Sequence, residues 1–278
     1  MRRHTRTFLA SLFVLAIASA AHAADLPWIK SESRAVSEAR SSGKPLLIYL
    51  HADYCEWCKV MDRSTFPDSR VQLLAKQFVL CKLDGEHEGK PLIKKFDVKS
   101  YPFQAFTDPD ENVKATALEY HDADKYARVL AANVPDSAIA AMQQSLAANP
   151  TDAETAATLA TIDAERGDLT SAKQDIAALT ALSSPAPSLV TAANHAIALA
   201  YIGTSDDDHA AECLKQAIAS AEDPREAVSL HLLLAERYSR LHRVTEARAE
   251  LQIIRDGKSS TRDEKRDAEK RQKALPAG

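Results

Sequence analysis

The sequence predicts an α/β layer domain followed by an all-α domain. Two observations carry that division. From Trp28 to about Val134, short apolar runs with strand character alternate with helical ones. After Val134 the strand-like runs stop, and Ala, Leu, Glu and Arg take over at helical spacing. A third observation marks the first half as the seat of chemistry. Tyr54-Cys55-Glu56-Trp57-Cys58-Lys59 stands where an apolar run ends and a helix is expected to begin.

The elements follow in chain order. Ser31 to Arg40 reads as a helix stopped at Ser42-Gly43. Pro45 to His51, rich in Leu and Ile, reads as a buried strand. Helices are expected from Glu56 to about Phe66 and from Asp68 to Lys76, with Asp68 as an N-cap. Phe78 to Leu83 is a second buried strand containing Cys81, and Lys90 to Phe96 a short helix. Phe103 to Phe106 and Val113 to Tyr120 read as strands joined through Asp108-Pro109-Asp110-Glu111-Asn112, a run of turn formers. A last helix of this half starts at Asp122 or Asp124 and reaches Ala132.

In the second half, breaks at Asn149-Pro150, Gly167-Asp168, Ser183-Ser184-Pro185, Gly203-Thr204 and Asp223-Pro224 imply helix pairs. Ala172, Ala210 and Ala247 recur 38 and 37 residues apart, where small side chains let paired helices approach closely. The charged stretch from Arg255 to Lys273 reads as a solvated last helix, and Cys213 as a packed helical residue.

The first residues read as an export signal. Arg2, Arg3 and Arg6 precede an apolar run from Phe8 to Ala20, and Ala21-His22-Ala23 has the form of a cleavage site before Ala24. The apolar run is about 13 residues, short of the ~20 that span a bilayer. The expectation is a cleaved signal over 1–23 and an exported product without a membrane span, in the periplasm of a bacterium. The formal net charge is −4. Loss of three arginines makes the remainder more acidic, which argues against nucleic acid as a partner.

Two cysteines two residues apart, at a strand end and a helix start, can close a small disulfide ring. A helix N-terminus stabilises a thiolate on Cys55, so one thiol can attack and the other resolve. Zinc is disfavoured because the chain has four cysteines, Cys55, Cys58, Cys81 and Cys213, and no second pair. A purely structural role is weak, because so small a ring removes little chain entropy. No metal or organic cofactor is called for.

Ser100-Tyr101-Pro102-Phe103, about forty residues after the Cys pair, completes a pattern. With the apolar strand before Cys55, the pair opening a helix, and the Phe106-Thr107-Asp108-Pro109-Asp110 turn, residues from Asp25 to Val134 resemble the thioredoxin-like superfamily. The resemblance is to its exported branch with a longer segment after the motif, here Lys59 to Phe66. It implies a central mixed sheet flanked by helices and a Cys55–Cys58 disulfide. Cys55 is then the exposed nucleophile and Cys58 the buried resolving thiol. Tyr101 and a cis Pro102 form the substrate-groove wall, with Trp57 an exposed contact.

Two departures bear on direction. Tyr49 stands where many thioredoxins carry a buried acid, and Glu56-Trp57 separates the cysteines where thioredoxin has Gly-Pro. An acid beside Cys55 disfavours its thiolate, which leans the reading towards reductase or exchange activity. Lys59 is either a neutralising neighbour or a solvated lysine.

The second half resembles tetratricopeptide (TPR-like) repeats, most clearly at Leu234-Ala235-x-x-Tyr238 with Thr245-Glu246-Ala247. The expected boundaries are 24–134 and 135–278. The function implied is an exported thiol–disulfide oxidoreductase. Its partners are a client carrying a thiol or disulfide, a membrane or periplasmic redox donor, and a protein or peptide held by the repeats. The alternative is a non-catalytic interaction scaffold in which the repeats carry the function and the Cys pair is a redox-sensitive or structural disulfide.

Overall fold

The computed structural model describes residues 25–276. The export signal expected over 1–23, and its cleavage before Ala24, lie outside the described residues. Among those described, no helix is long and apolar enough to cross a membrane.

Four strands form one mixed sheet: β1 (Leu46–His51), β2 (Val79–Asp84), β3 (Phe103–Thr107) and β4 (Val113–Leu118), in the order β2-β1-β3-β4. β1 runs parallel to β2 and antiparallel to β3, and β4 is antiparallel to β3. The Leu/Ile-rich run of β1 is central because both its faces are covered, and Leu46 to Leu50 are all buried. On one face α1 (Glu32–Ser42) packs Ala35, Val36 and Ala39 against Ile48 and Leu50. Gly43, at φ 71°, ends α1 in the left-handed conformation that glycine adopts without strain.

The other face carries the Cys segment. A continuous helix from Glu56 to Phe66 is expected from sequence; the structure divides it. α2 (Glu56–Val60) gives way to a π-helical turn, Met61–Thr65, closed by the Phe66 N–H on the Met61 carbonyl at 2.9 Å. Pro67 has no N–H to extend the ladder. The Thr65 hydroxyl donates to the His121 carbonyl at 2.8 Å and ties this turn to the segment before α5. Asp68 then caps α3 (Ser69–Ala75), accepting from the N–H groups of Arg70 and Val71. α4 (Lys90–Lys95) and α5 (Ala123–Asn133), the latter capped by Asp122, complete the α/β part.

The rest of the described chain is helical: α6 (Asp136–Ala148), α7 (Ala153–Glu165), α8 (Leu169–Thr180), α9 (Pro187–Gly203), α10 (Asp207–Ser220), α11 (Pro224–Arg240), α12 (Val244–Asp256) and α13 (Arg262–Ala274). Asp152, Asp168, Asp206 and Asp223 cap α7, α8, α10 and α11 through side-chain oxygens. The breaks expected from sequence fall at these boundaries. Ala172, Ala210 and Ala247 each occupy the fourth position of the second helix in a pair, α8, α10 and α12, and each is fully buried. The charged last helix is solvated on most of its surface, held by a Thr261–Glu264 capping box with Ala268 buried beneath.

The two halves share one apolar core. Ile139, Leu159 and Ile162 join the cluster that contains Cys55, Cys58, Tyr49 and Met61. Leu73 of α3 packs among the alanines of α7 and α9. Polar contacts cross the same boundary: the Arg166 guanidinium donates to the carbonyls of Ala131 at 3.1 Å and Val134 at 2.7 Å.

Candidate functional site

Cys55 and Cys58 form a disulfide with an S–S distance of 2.03 Å. Cys55 is the N-cap of α2, and its sulfur accepts the Cys58 N–H at 3.0 Å. A thiolate on Cys55 would lie against the unsatisfied N–H groups of that helix end. Cys55 retains 7% of its surface and Cys58 2%. Cys55 is far less exposed than expected from sequence, because both sulfurs sit in the apolar cluster under the sheet face.

Tyr54 and Trp57, the neighbours of Cys55 and Cys58 in the chain, form an aromatic rim with Tyr101 and Tyr120. Trp57 is 57% exposed and leans on Tyr120, with ring centres 4.9 Å apart. Tyr54, 69% exposed, meets Tyr101 edge to face, and both hydroxyls donate to one Glu86 carboxylate oxygen, at 3.2 and 3.1 Å. Burial, then the hydrogen bond to Glu86, pushes the Tyr101 phenol up to about 12. The Tyr101–Pro102 peptide is cis. A Cβ at Gly85 would lie 2.1 Å from the Tyr101 hydroxyl, so only glycine leaves room for that ring. Tyr54, Gly85, Glu86 and Tyr120 carry no motif and were not legible in sequence.

Lys59 is engaged by the neighbouring Glu56. Its ammonium pairs with Glu56 at 2.7 Å, and the hydrogen bond and charge of Lys59 hold the Glu56 carboxyl below its ordinary range. Beneath the pair, Tyr49 is fully buried, with Met61 sulfur 4.0 Å from its hydroxyl. Burial, then the charge of Asp62, drives its phenol far above the ordinary range, so it is no proton carrier near neutrality. Gln104 stands opposite Tyr49 in the β1–β3 register and thus on the same face. It is fully buried, and among the described residues neither amide atom has a hydrogen-bond partner.

His51 lines a side cavity of about 660 Å³ with Trp28, Asp53, Lys82 and Asp84. Burial, then the Lys82 ammonium, holds its imidazole below the usual range against the surrounding carboxylates. Cys81 is fully buried in β2, and burial pushes its thiol up to about 12. Cys213 in α10 is pushed up to about 11 for the same reason. Both are free, and both are inert as nucleophiles near neutral pH.

A mixed β2-β1-β3-β4 sheet with a Cys-x-x-Cys disulfide opening a helix off its central strand is a recognisable arrangement. Residues 27–109 match the model of a family described as thioredoxin-like. The chain carries a thioredoxin-like domain. Two similar curated proteins bear the name thiol:disulfide interchange protein DsbD. The one from Ralstonia nicotianae is 32% identical over 87 residues, 30% of this chain and 14% of that protein. The one from Yersinia pestis is 35% identical over 77 residues, 27% of this chain and 13% of that protein. The chain thus spans about a seventh of the length of these relatives. A thioredoxin from Thermus thermophilus is 20% identical with a TM-score of 0.36, covering 38% of this chain and 85% of that one.

Proposed function

We propose that the protein is a thiol–disulfide oxidoreductase acting in the reductase or exchange direction. The carrying observation is the Cys55 sulfur serving as N-cap of α2, with the Cys58 N–H 3.0 Å away. In the reduced state Cys55 attacks a client disulfide and forms a mixed disulfide. Cys58 then attacks the Cys55 sulfur, releasing the client as a thiol and restoring the Cys55–Cys58 bond. Electrons pass from the Cys pair to the client, and a redox donor must return them. Trp57, Tyr101 and Pro102 form the wall against which the client peptide lies.

The reading extends to export and architecture. Residues 1–23 act as a signal, 24–134 are the oxidoreductase domain, and 135–278 form a TPR-like domain that holds a partner protein or peptide. The compartment is the bacterial periplasm. The relatives' name supports the chemistry, and the alanine recurrence at 172, 210 and 247 supports the repeat.

The test is the reduction potential of the Cys55–Cys58 pair, measured in glutathione buffers with thiol trapping. A value near thioredoxin's, about −270 mV, is expected; one near −120 mV reverses the direction. Cys55→Ser should abolish disulfide exchange. Full activity in that variant would sink the enzymatic reading and leave the scaffold role.

A further inference from the structure

We infer that Asp68, His195 and Glu226 form a binding site for a divalent transition-metal ion of the zinc class, at the junction of the thioredoxin-like domain and the helical region. The three come from the α3 cap, α9 and α11, and their ligand atoms lie within 4.8 Å of one another. Two donors each about 2.1 Å from one ion are separated by roughly 3.4 to 4.2 Å, so the cluster needs only small side-chain adjustment to share one.

His195 is the observation that points to a ligand. It is 2% exposed, and among the described residues neither ring nitrogen has a hydrogen-bond partner. A buried imidazole with both nitrogens unused is uncommon, because each unmet group costs about 1–3 kcal/mol. Its Nδ1 lies 3.8 Å from Glu226 Oε1, too far for a hydrogen bond and close to the separation of two ligands on one ion.

The carboxylates are held as metal ligands are held. Asp68 Oδ1 accepts from the N–H groups of Arg70 and Val71 and from Arg70 Nε, at 3.0, 3.4 and 3.1 Å. Asp68 Oδ2 accepts only Arg70 Nη2, at 2.9 Å, and keeps acceptor capacity. Ser69 Oγ donates to Glu226 Oε1 at 2.5 Å and leaves Oε2 free. Such outer hydrogen bonds orient ligands and sharpen their affinity.

Charge points the same way. Arg70 faces Asp68, Asp124 and Glu165, three carboxylates on one guanidinium, while Glu226 is hydrogen-bonded to Ser69. A dication offsets that excess. One imidazole with two carboxylates suits zinc, manganese or iron better than magnesium or calcium. A cavity of about 380 Å³ opens onto the cluster, with room for water to complete the coordination. The ion would pin α3 to α9 and α11, a clamp separate from the Cys pair.

The experiment uses the full chain without an affinity tag and with Cys55–Cys58 oxidised, so that these thiols are not ligands. Zinc titration of metal-free protein should saturate at one ion per chain and raise the thermal midpoint, and a chelator should reverse the rise. His195→Gln and Glu226→Gln should each weaken zinc binding at least about 10-fold. Cobalt should give a spectrum of nitrogen and oxygen ligation without a thiolate charge-transfer band, and this reading decides the matter if a variant does not fold. No stoichiometric zinc in the wild type, equal binding by both variants, or a thiolate band overturns the site.

Discussion

The rim of the disulfide and the junction of the two halves are built on opposite plans. At the rim, the exposed Tyr54 and Trp57 each lean on a second aromatic, and Tyr54 and Tyr101 are tied by hydrogen bonds to one carboxylate, Glu86. At the junction, a guanidinium with no exposed surface, Arg70, bonds Asp68, Asp124 at 2.7 Å and Glu165 at 3.2 Å. On the proposed function this rim admits a client, and its polar contacts are few and solvated. At the junction the guanidinium is buried and holds three carboxylates at once. Burial opposes the ionised Asp68 carboxyl, yet Arg70 outweighs it and holds Asp68 below the ordinary range.

The largest test of that contrast strikes the junction. Arg70→Met leaves Asp68 and Glu165 buried without their cation, and should cost about 3–5 kcal/mol in urea unfolding. The reduction potential of whatever remains folded should be unchanged. If stability is unaffected, the two halves are not coupled through this network.

Next, Gly85→Ala forces the Tyr101 ring to move. It should raise KM for disulfide exchange several-fold while costing only about 1–2 kcal/mol of stability. A large loss of stability with unaltered KM would make the rim a structural feature.

A smaller effect lies in the helical region. Burial, then the charge of Asp163, pushes the Asp175 carboxyl from 3.8 up to about 6. A carboxyl raised on folding holds its proton more tightly in the folded state. Its stabilising contribution is complete below about pH 4 and is lost as pH rises through about 6. Asp175→Asn should therefore flatten stability between these values and gain about 1 kcal/mol at pH 7 once solvent screening is allowed. Unchanged pH dependence by thermal unfolding would refute it.

The smallest concerns Glu56. Glu56→Gln frees Lys59 and removes a carboxylate beside Cys55, and both changes favour the thiolate. The pH midpoint of Cys55 alkylation in the reduced protein should move down by a fraction of a unit. A move upward would contradict the pairing of Glu56 with Lys59.

Much of this was legible in the chain. The Leu46–Leu50 run, the Asp caps and the breaks at 167–168 and 223–224 report local chemistry: apolar period, capping oxygens and turn formers act within a few residues. Cys55, Cys58, Tyr101 and Pro102 were readable because a short motif carries them. The π-helical turn was not, since it is tied from outside the helix: the Thr65 hydroxyl donates to a carbonyl 56 residues away in sequence. Nor was the pairing of Lys59 with Glu56, because rotamers choose among several acids.

By itself, then, the sequence determined the order and kind of elements, the division into α/β and helical halves, and the two sulfurs where exchange chemistry is expected. Tertiary structure alone decided that Arg70, 95 residues from Glu165, is its partner, that Ser69 reaches Glu226 across 157 residues, and that His195 ends buried beside both carboxylate-bearing elements. The physical reason is range. Capping and periodicity act between neighbours in the chain, whereas the pairing of buried charges depends on which surfaces the apolar core brings together.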